Sequence, residues 1–447
     1  MFVPLACGSE IAAPTPPPLD EMSAMPAYKS DVRYWCDVSG SVRFDGKRRS
    51  VVPGASGLPD LSWITIPAGF CVHYFASAPN ASIIRFAPGR ELFATSPTQG
   101  SEYSGPGGKS AILVLPDDNR DGLADSADTF VDGVQAYGLA FANGSLYFQD
   151  GDKIMKVRYA AGDRRLSRAP TVAADFSKRP SDFWQWPRPL DVANDGTVYV
   201  IHNFDLHECD ATHPFASGVL AIDGTNPLVG TPIAKGLAVG NGLRCQRDFD
   251  HCFASEFLHG YEFEVGRDKI MPVQAGDDWG SPCCATKDVP FPSVQPKPDC
   301  SGVATESASF FTMNGPAGLD FERGLWPTPW GHRMFVALLG QWTTGIAAQI
   351  ISIEIDQKTG MPISGGTKWN RLDWRDPPPE LWGSALAFAT GWDPGDRKQN
   401  RVHGIPSDVT FAEDGRMFVA QNQGPDALDG LGIVIWFAPL DLPRKKR

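Results

Sequence analysis

The stretch Asp117-Asp118-Asn119-Arg120-Asp121-Gly122-Leu123-Ala124-Asp125 spells D-x-N-x-D-G-x-x-D, with an oxygen-bearing side chain at alternate positions at its start. A hard cation with six to eight oxygen ligands uses that alternation, and a glycine at the sixth position permits the sharp turn. Asp128 falls at position twelve, where a carboxylate closes such loops. Asp117, Asn119, Asp121, Asp125 and Asp128 are therefore candidate ligands for a calcium ion, Ca2+. The alternative is an acidic turn held only by side-chain-to-backbone bonds. A second candidate is His202, which closes the run Val198-Tyr199-Val200-Ile201. Histidine is the side chain best placed to exchange a proton near neutral pH. His207, His213, His251 and His259 lie in loops and carry no comparable positional signal.

These residues sit in a chain that repeats one cadence. A small residue or proline precedes alternating apolar positions, a tight polar turn, and a second apolar run. The instances are Ile83–Thr95, Tyr137–Gln149, Pro189–His202, Leu243–Glu256, Pro316–Gly340 and Pro406–Gln421. Alternation at period two marks strands with one buried face. Asn143-Gly144, Asp195-Gly196 and Asp414-Gly415 are dipeptides that favour primed hairpin turns. No helical pattern of useful length stands out. A solenoid would need a shorter period, and a sandwich rarely repeats one hairpin six times. The cadence predicts an all-β fold, a six-bladed β-propeller of four-stranded antiparallel blades.

Composition agrees. The 447 residues include 46 glycines and 39 prolines, spread along the chain as frequent turns require. The net charge of -12 argues against a nucleic-acid partner. Cys7 aside, eight cysteines remain, an even number that suits disulfides in an oxidising compartment. Cys245 and Cys252 are placed to close a hairpin, and Cys36 to reach Cys71. Cys283 and Cys284 have two options, a bond to each other or a bond from one of them to Cys300. Leu5-Ala6-Cys7 matches the end of a lipoprotein signal, and Pro14 to Pro26 would form a stiff tether. The expected division is a lipoprotein-like N-terminus and tether over 1–30, one propeller over 31–440 and a basic tail over 441–447. The expected location is exported, periplasmic or outer-surface, with any membrane attachment through a lipid at Cys7.

In order along the chain, several segments resemble one family. They are Ile66-Pro67-Ala68-Gly69-Phe70, the acidic loop followed by Tyr137-Gly138-Leu139-Ala140, Asp277 to Cys283, Arg333 to Ala337 with Gly340-Gln341-Trp342, and Gly404 to Gly424. Together, from about Leu58 to Pro439, the chain resembles the glucose/sorbosone dehydrogenases, six-bladed propellers that use pyrroloquinoline quinone (PQQ) and often calcium. The resemblance implies oxidation of a sugar or polyol, with electrons passed from the hydroxyl carbon to the quinone. It implies a histidine base near the substrate and arginines on the cofactor's carboxylates, for which the guanidinium fork is suited.

The motifs that carry this chemistry in the family depart here. Its H-W-x-R motif aligns with Gln185-Trp186-Pro187-Arg188, and its R-N pair with Arg244-Cys245. Met313 and Ile405 stand where a histidine and an arginine are expected. Arg188, Arg244 and Trp186 remain as cofactor candidates and His202 as the candidate base. Each arginine has a second reading as a blade-to-blade ion pair. The leading expectation is a divergent PQQ-type dehydrogenase. A non-catalytic propeller that binds a carbohydrate or protein on its axial face is the alternative, and thirteen tryptophans would serve it. A lactonase-type hydrolase would need a calcium ion on the axis, whereas the visible loop draws its ligands from one peripheral stretch.

Overall fold

The computed structural model describes residues 33–46, 48–96, 111–177, 189–203, 209, 217–222, 230–257, 267–311, 314–340, 348–363, 385–393, 403–422 and 432–444. Their regular secondary structure is strand throughout, apart from one 3-10 turn at Trp35–Asp37. Cys7 and the proline-rich stretch lie outside the described residues.

Six antiparallel sheets follow one another around an axis. Blade one is built from Ile84–Phe86, Leu92–Ser96, Ala111–Leu115 and Asp128–Asp132, in that spatial order. Blade two uses Leu139–Ala142, Ser145–Asp150, Lys153–Arg158 and Thr171–Asp175. Blade three uses Leu190–Val192, Val198–His202, Gly218–Ile222 and Thr231–Lys235. Blade four uses Val239–Gln246, His251–Phe257, Arg267–Pro272 and Ala308–Phe311, with a small ribbon, Cys284–Thr286 and Val289–Pro290, inserted before its last strand. Blade five uses Pro316–Phe321, Arg333–Leu338, Gln349–Glu354 and Leu386–Ala389.

Blade six takes Ile405–Phe411, Met417–Asn422 and Ile433–Pro439 from the C-terminal end and Phe70–Ser77 from the N-terminal end. The register runs from Ser77 opposite Ile433 to Phe70 opposite Pro439. The first strand of each blade touches that of the next, and blade six touches blade one, so the ring closes. The six hairpins of the sequence cadence are the inner two strands of the six blades. The fold is a six-bladed β-propeller.

Burial explains the composition of the strands. Ile405–Phe411 and Ile433–Pro439 are buried along their whole length because each blade is covered by neighbours on both faces. The side chains between blades form the core; Phe335, Phe388, Val409 and Phe437, for example, join blades five and six. At Asn143-Gly144 both residues have positive φ, 49° and 67°, as a primed turn requires. The other two expected primed turns differ. Only Gly196 and Gly415 have positive φ, because Asp195 and Asp414 accept the backbone N–H of Thr197 and Arg416 and hold their own backbone in ordinary conformations.

Four disulfides are present: Cys36–Cys71, Cys209–Cys283, Cys245–Cys252 and Cys284–Cys300. The adjacent Cys283 and Cys284 therefore diverge to separate partners. The set fits an oxidising compartment, and no helix among the described residues is long and apolar enough to cross a membrane. Cys36–Cys71 ties the 3-10 turn to the strand that closes the ring, across a sequence separation of 35. Replacing both cysteines by alanine is expected to lower the unfolding free energy by about 2–4 kcal/mol, read by urea denaturation against the oxidised parent. At the C-terminal end Trp35 N–H bonds the Leu442 carbonyl, and the Arg444 guanidinium lies 4.9 Å from the Trp35 ring centre.

The meander also defines two faces. Turns between first and second strands, and between third and fourth, share one face. Turns between second and third strands share the other with the blade-to-blade connections. We call these the hairpin face and the connection face.

Candidate functional site

Each inner strand brings one residue to the axis near its end: Arg85, Ala140, Asp191, Arg244, Asp320 and Thr410 from blades one to six. Arg244 Nε donates to Asp320 Oδ1 at 2.9 Å, and its Nη2 donates to Asp320 Oδ2 and, at 2.8 Å, to Thr410 Oγ1. Asp320 also accepts the backbone N–H of Phe321 and of Phe411, each at 2.8 Å. Asp191 accepts the Cys245 N–H at 2.8 Å and lies 3.9 Å from Arg244 Nε. One guanidinium thus joins blades three to six.

A second pair joins blades one and six. Arg85 Nη1 donates to Asp408 Oδ2 at 2.5 Å, and Arg85 Nη2 reaches across the axis to the Leu243 carbonyl at 3.3 Å. A Cβ on Gly318 would come within 1.7 Å of Asp408 Oδ1, so the bare glycine is what admits this carboxylate.

The electrostatics follow from burial. Desolvation would raise the Asp320 carboxyl, but Arg244 and the two backbone donors hold it below the ordinary range. Desolvation would likewise lower Arg244, yet Asp320 and Asp191 push its value above that of a free guanidinium. At Asp408 burial prevails over Arg85 and the carboxyl is raised.

A cavity of ≈ 600 Å³ lies against these axial pairs. Its walls come mainly from the ends of the inner strands and the turns that follow them, joined by Trp35, Arg416 and the acidic-loop residues Asp117 and Arg120, so it belongs to the hairpin face. Arg85, Asp191, Arg244, Asp320 and Thr410 line its inner end.

His202 stands elsewhere. It ends the second strand of blade three, on the connection face, and is 1% exposed. Its ring centre is 5.4 Å from that of Phe176, and its carbonyl accepts the Ser217 hydroxyl at 3.0 Å. The fold therefore separates His202 from Arg244, placing them toward opposite faces. Trp186 and Arg188, with Gln185 and Met313, lie outside the described residues. Sequence reasoning missed Arg85, Asp320 and Asp408. Their signal was a charged residue inside the apolar first strand of a repeat, as in Ile84-Arg85-Phe86 and Leu319-Asp320-Phe321.

The acidic loop joins the third and fourth strands of blade one, on the hairpin face. Asp117 Oδ1 accepts Gly122 N–H at 3.5 Å, Asn119 Oδ1 accepts Asp121 N–H at 2.7 Å, and Asp121 Oδ1 accepts Leu123 N–H at 2.8 Å. Gly122 has φ +95°, and its carbonyl accepts the Trp436 indole N–H at 2.8 Å. Asp125 bonds the Asp118 N–H and the Asn119 amide, while Asp128 accepts the Ser126 hydroxyl. Asp117 Oδ2 is buried without a hydrogen bond, 3.5 Å from Arg416 Nη1, and burial raises this carboxyl. Among the described residues, no three histidine, cysteine or acidic side chains are gathered closely enough to hold a metal. The hard oxygen donors, with the Asp117 oxygen that has no hydrogen bond, fit a calcium ion in chemistry, and uptake would have to draw them together and loosen Asp117 from Arg416.

No protein-family model and no curated protein matches the sequence. Solved structures do match. A calcium structure of a Trichoderma reesei carbohydrate-active enzyme of family AA12 is 14% identical, covering 84% of this chain and 97% of that one with a TM-score of 0.61. The holo PQQ domain of pyranose dehydrogenase from Coprinopsis cinerea is 13% identical, covering 85% and 98% with a TM-score of 0.62. The PQQ-bound aldose sugar dehydrogenase of Streptomyces coelicolor is 15% identical, covering 83% and 99% with a TM-score of 0.52. The chain thus has the fold of the PQQ-type sugar dehydrogenases that its sequence resembles.

Proposed function

We infer that the protein is a divergent PQQ-type oxidoreductase that oxidises a sugar or polyol, with its chemistry on the connection face. The observation that carries this reading is the agreement between the ordered sequence motifs and a fold shared with PQQ-bound sugar dehydrogenases over more than four-fifths of the chain. The quinone, when bound, supplies the electron sink. His202, sequestered from bulk water at the end of its strand, accepts the proton of the substrate hydroxyl. Arg244 already holds Asp320, so recognition of the cofactor's carboxylates falls to Arg188, with Trp186 two residues earlier as a stacking surface. The test is dye reduction by quinone-loaded protein with a panel of aldoses and polyols. Substrate-dependent turnover is expected, and no turnover with any of them would remove the reading.

A second reading is a binding propeller without catalysis. It is favoured by the axis itself, where the Arg85–Asp408 and Arg244–Asp320 pairs occupy the channel.

The acidic loop takes up calcium through Asp117, Asn119, Asp121, Asp125 and Asp128 and so braces blade one. Calcium added to chelator-treated protein is expected to stabilise it by about 2.7 kcal/mol at a free concentration a hundredfold above Kd. Asp121→Ala should abolish the effect. Calorimetry showing no heat of binding would contradict it.

A further inference from the structure

The cavity on the hairpin face has no part in the oxidation just described. We propose that it is a separate binding site for a small aromatic carboxylate.

Its walls carry two complementary features. The first is a set of phenylalanines. Phe86, Phe321 and Phe411 are the last residues of the inner strands of blades one, five and six, and Phe141 is the penultimate residue in blade two. All four line the cavity. Phe86 and Phe141 are only partly buried, so their rings offer apolar surface to an occupant. Such walls suit a flat, unsaturated ring.

The second feature is unspent positive charge. Most carboxylates of the wall have arginine partners within the protein. Arg244 holds Asp320 and Asp191, Arg90 holds Glu413, and Arg416 holds Asp414 and Asp117. Arg247 and Arg323 also line the cavity, and neither forms an ion pair among the described residues. They follow the inner strands of adjacent blades, four and five, and both are exposed. The wall carboxylate left to oppose them is Asp248, so the cavity presents two free guanidinium groups against one acid. A guanidinium fork matches a carboxylate in two hydrogen bonds. Apolar rings and two arginines on the walls of one cavity select a ligand with a flat body and one anionic end. The volume of ≈ 600 Å³ lies within the range of small-molecule sites.

The probe is 2-naphthoate, titrated by its own fluorescence into the full chain without quinone, sugar or calcium, so the result is independent of the oxidation reading. Saturable binding is expected. Arg247→Ala and Arg323→Ala, both exposed and outside the core, should each weaken it about tenfold, the scale of a lost charge-assisted bond. The neutral 2-naphthalenemethanol, with the same ring and no charge, should bind at least tenfold more weakly. Absence of saturable binding, equal binding of the alcohol, or an affinity that the double variant leaves within twofold of the parent would each overturn the proposal.

Discussion

Asp320→Ala is expected to cost about 3–5 kcal/mol of stability, the scale for removing one partner of a buried ion pair. The carboxylate is 4% exposed and serves four donors: the Arg244 guanidinium, the backbone N–H groups of Phe321 and Phe411, and the Thr410 hydroxyl at 3.3 Å. Deleting it leaves Arg244 charged at the axis without its hydrogen-bonded carboxylate, the nearest acid being Asp191 at 3.9 Å, and leaves two buried N–H groups without acceptors. The damage spreads because blades four, five and six meet at this one side chain. Urea denaturation of the variant is the measurement, and a loss below about 1 kcal/mol would show that the pair is dispensable. The pH dependence has a definite sign. Because the folded carboxyl titrates below its ordinary value of 3.8, its stabilisation is present above that pH and is lost as pH falls through the lower folded value. Asp320→Ala should therefore lose that part of the parent's sensitivity to acid.

The second large effect concerns chemistry. In quinone-loaded protein His202→Gln is expected to lower kcat by about 10²–10⁴, the range for loss of a general base, while quinone affinity stays near that of the parent. Glutamine keeps much of the side chain's volume and hydrogen-bonding capacity but takes up no proton at useful pH. This separates proton transfer from packing beside Phe176. Circular dichroism and the thermal midpoint confirm that the fold survives. A variant that folds and turns over at the parent's rate would take the base role away from His202.

The propeller was legible because its signal is repeated. Six hairpins with period-two alternation mark six inner strand pairs, and each copy supports the reading of the others. The ring closure was harder to see, since Phe70–Ser77 and Ile433–Pro439 are far apart in sequence and pair only because the circle brings the ends together. The disulfides divide the same way. Cys245–Cys252 and Cys36–Cys71 follow the local spacing, whereas Cys209–Cys283 depends on an insertion whose path no local pattern shows.

The axial layer was written in the strands as Arg85, Asp191, Arg244 and Asp320. A single charged residue in an apolar run says that something polar lies on the axis, but not which partner it meets. For that reason Arg244 read equally well as a cofactor ligand and as a blade-to-blade pair, and the fold supplies Asp320. The opposite placement of His202 and Arg244 depends on strand direction within the blade. Motif order along the chain carries no such information.

The most direct test is an absorption titration of the full chain with PQQ in the presence of calcium, followed by one addition of an aldose without an electron acceptor. A bound-quinone band that saturates and then bleaches with the sugar is the expected result. A spectrum identical to free PQQ at every protein concentration would contradict the oxidoreductase reading and leave the propeller as a binding scaffold.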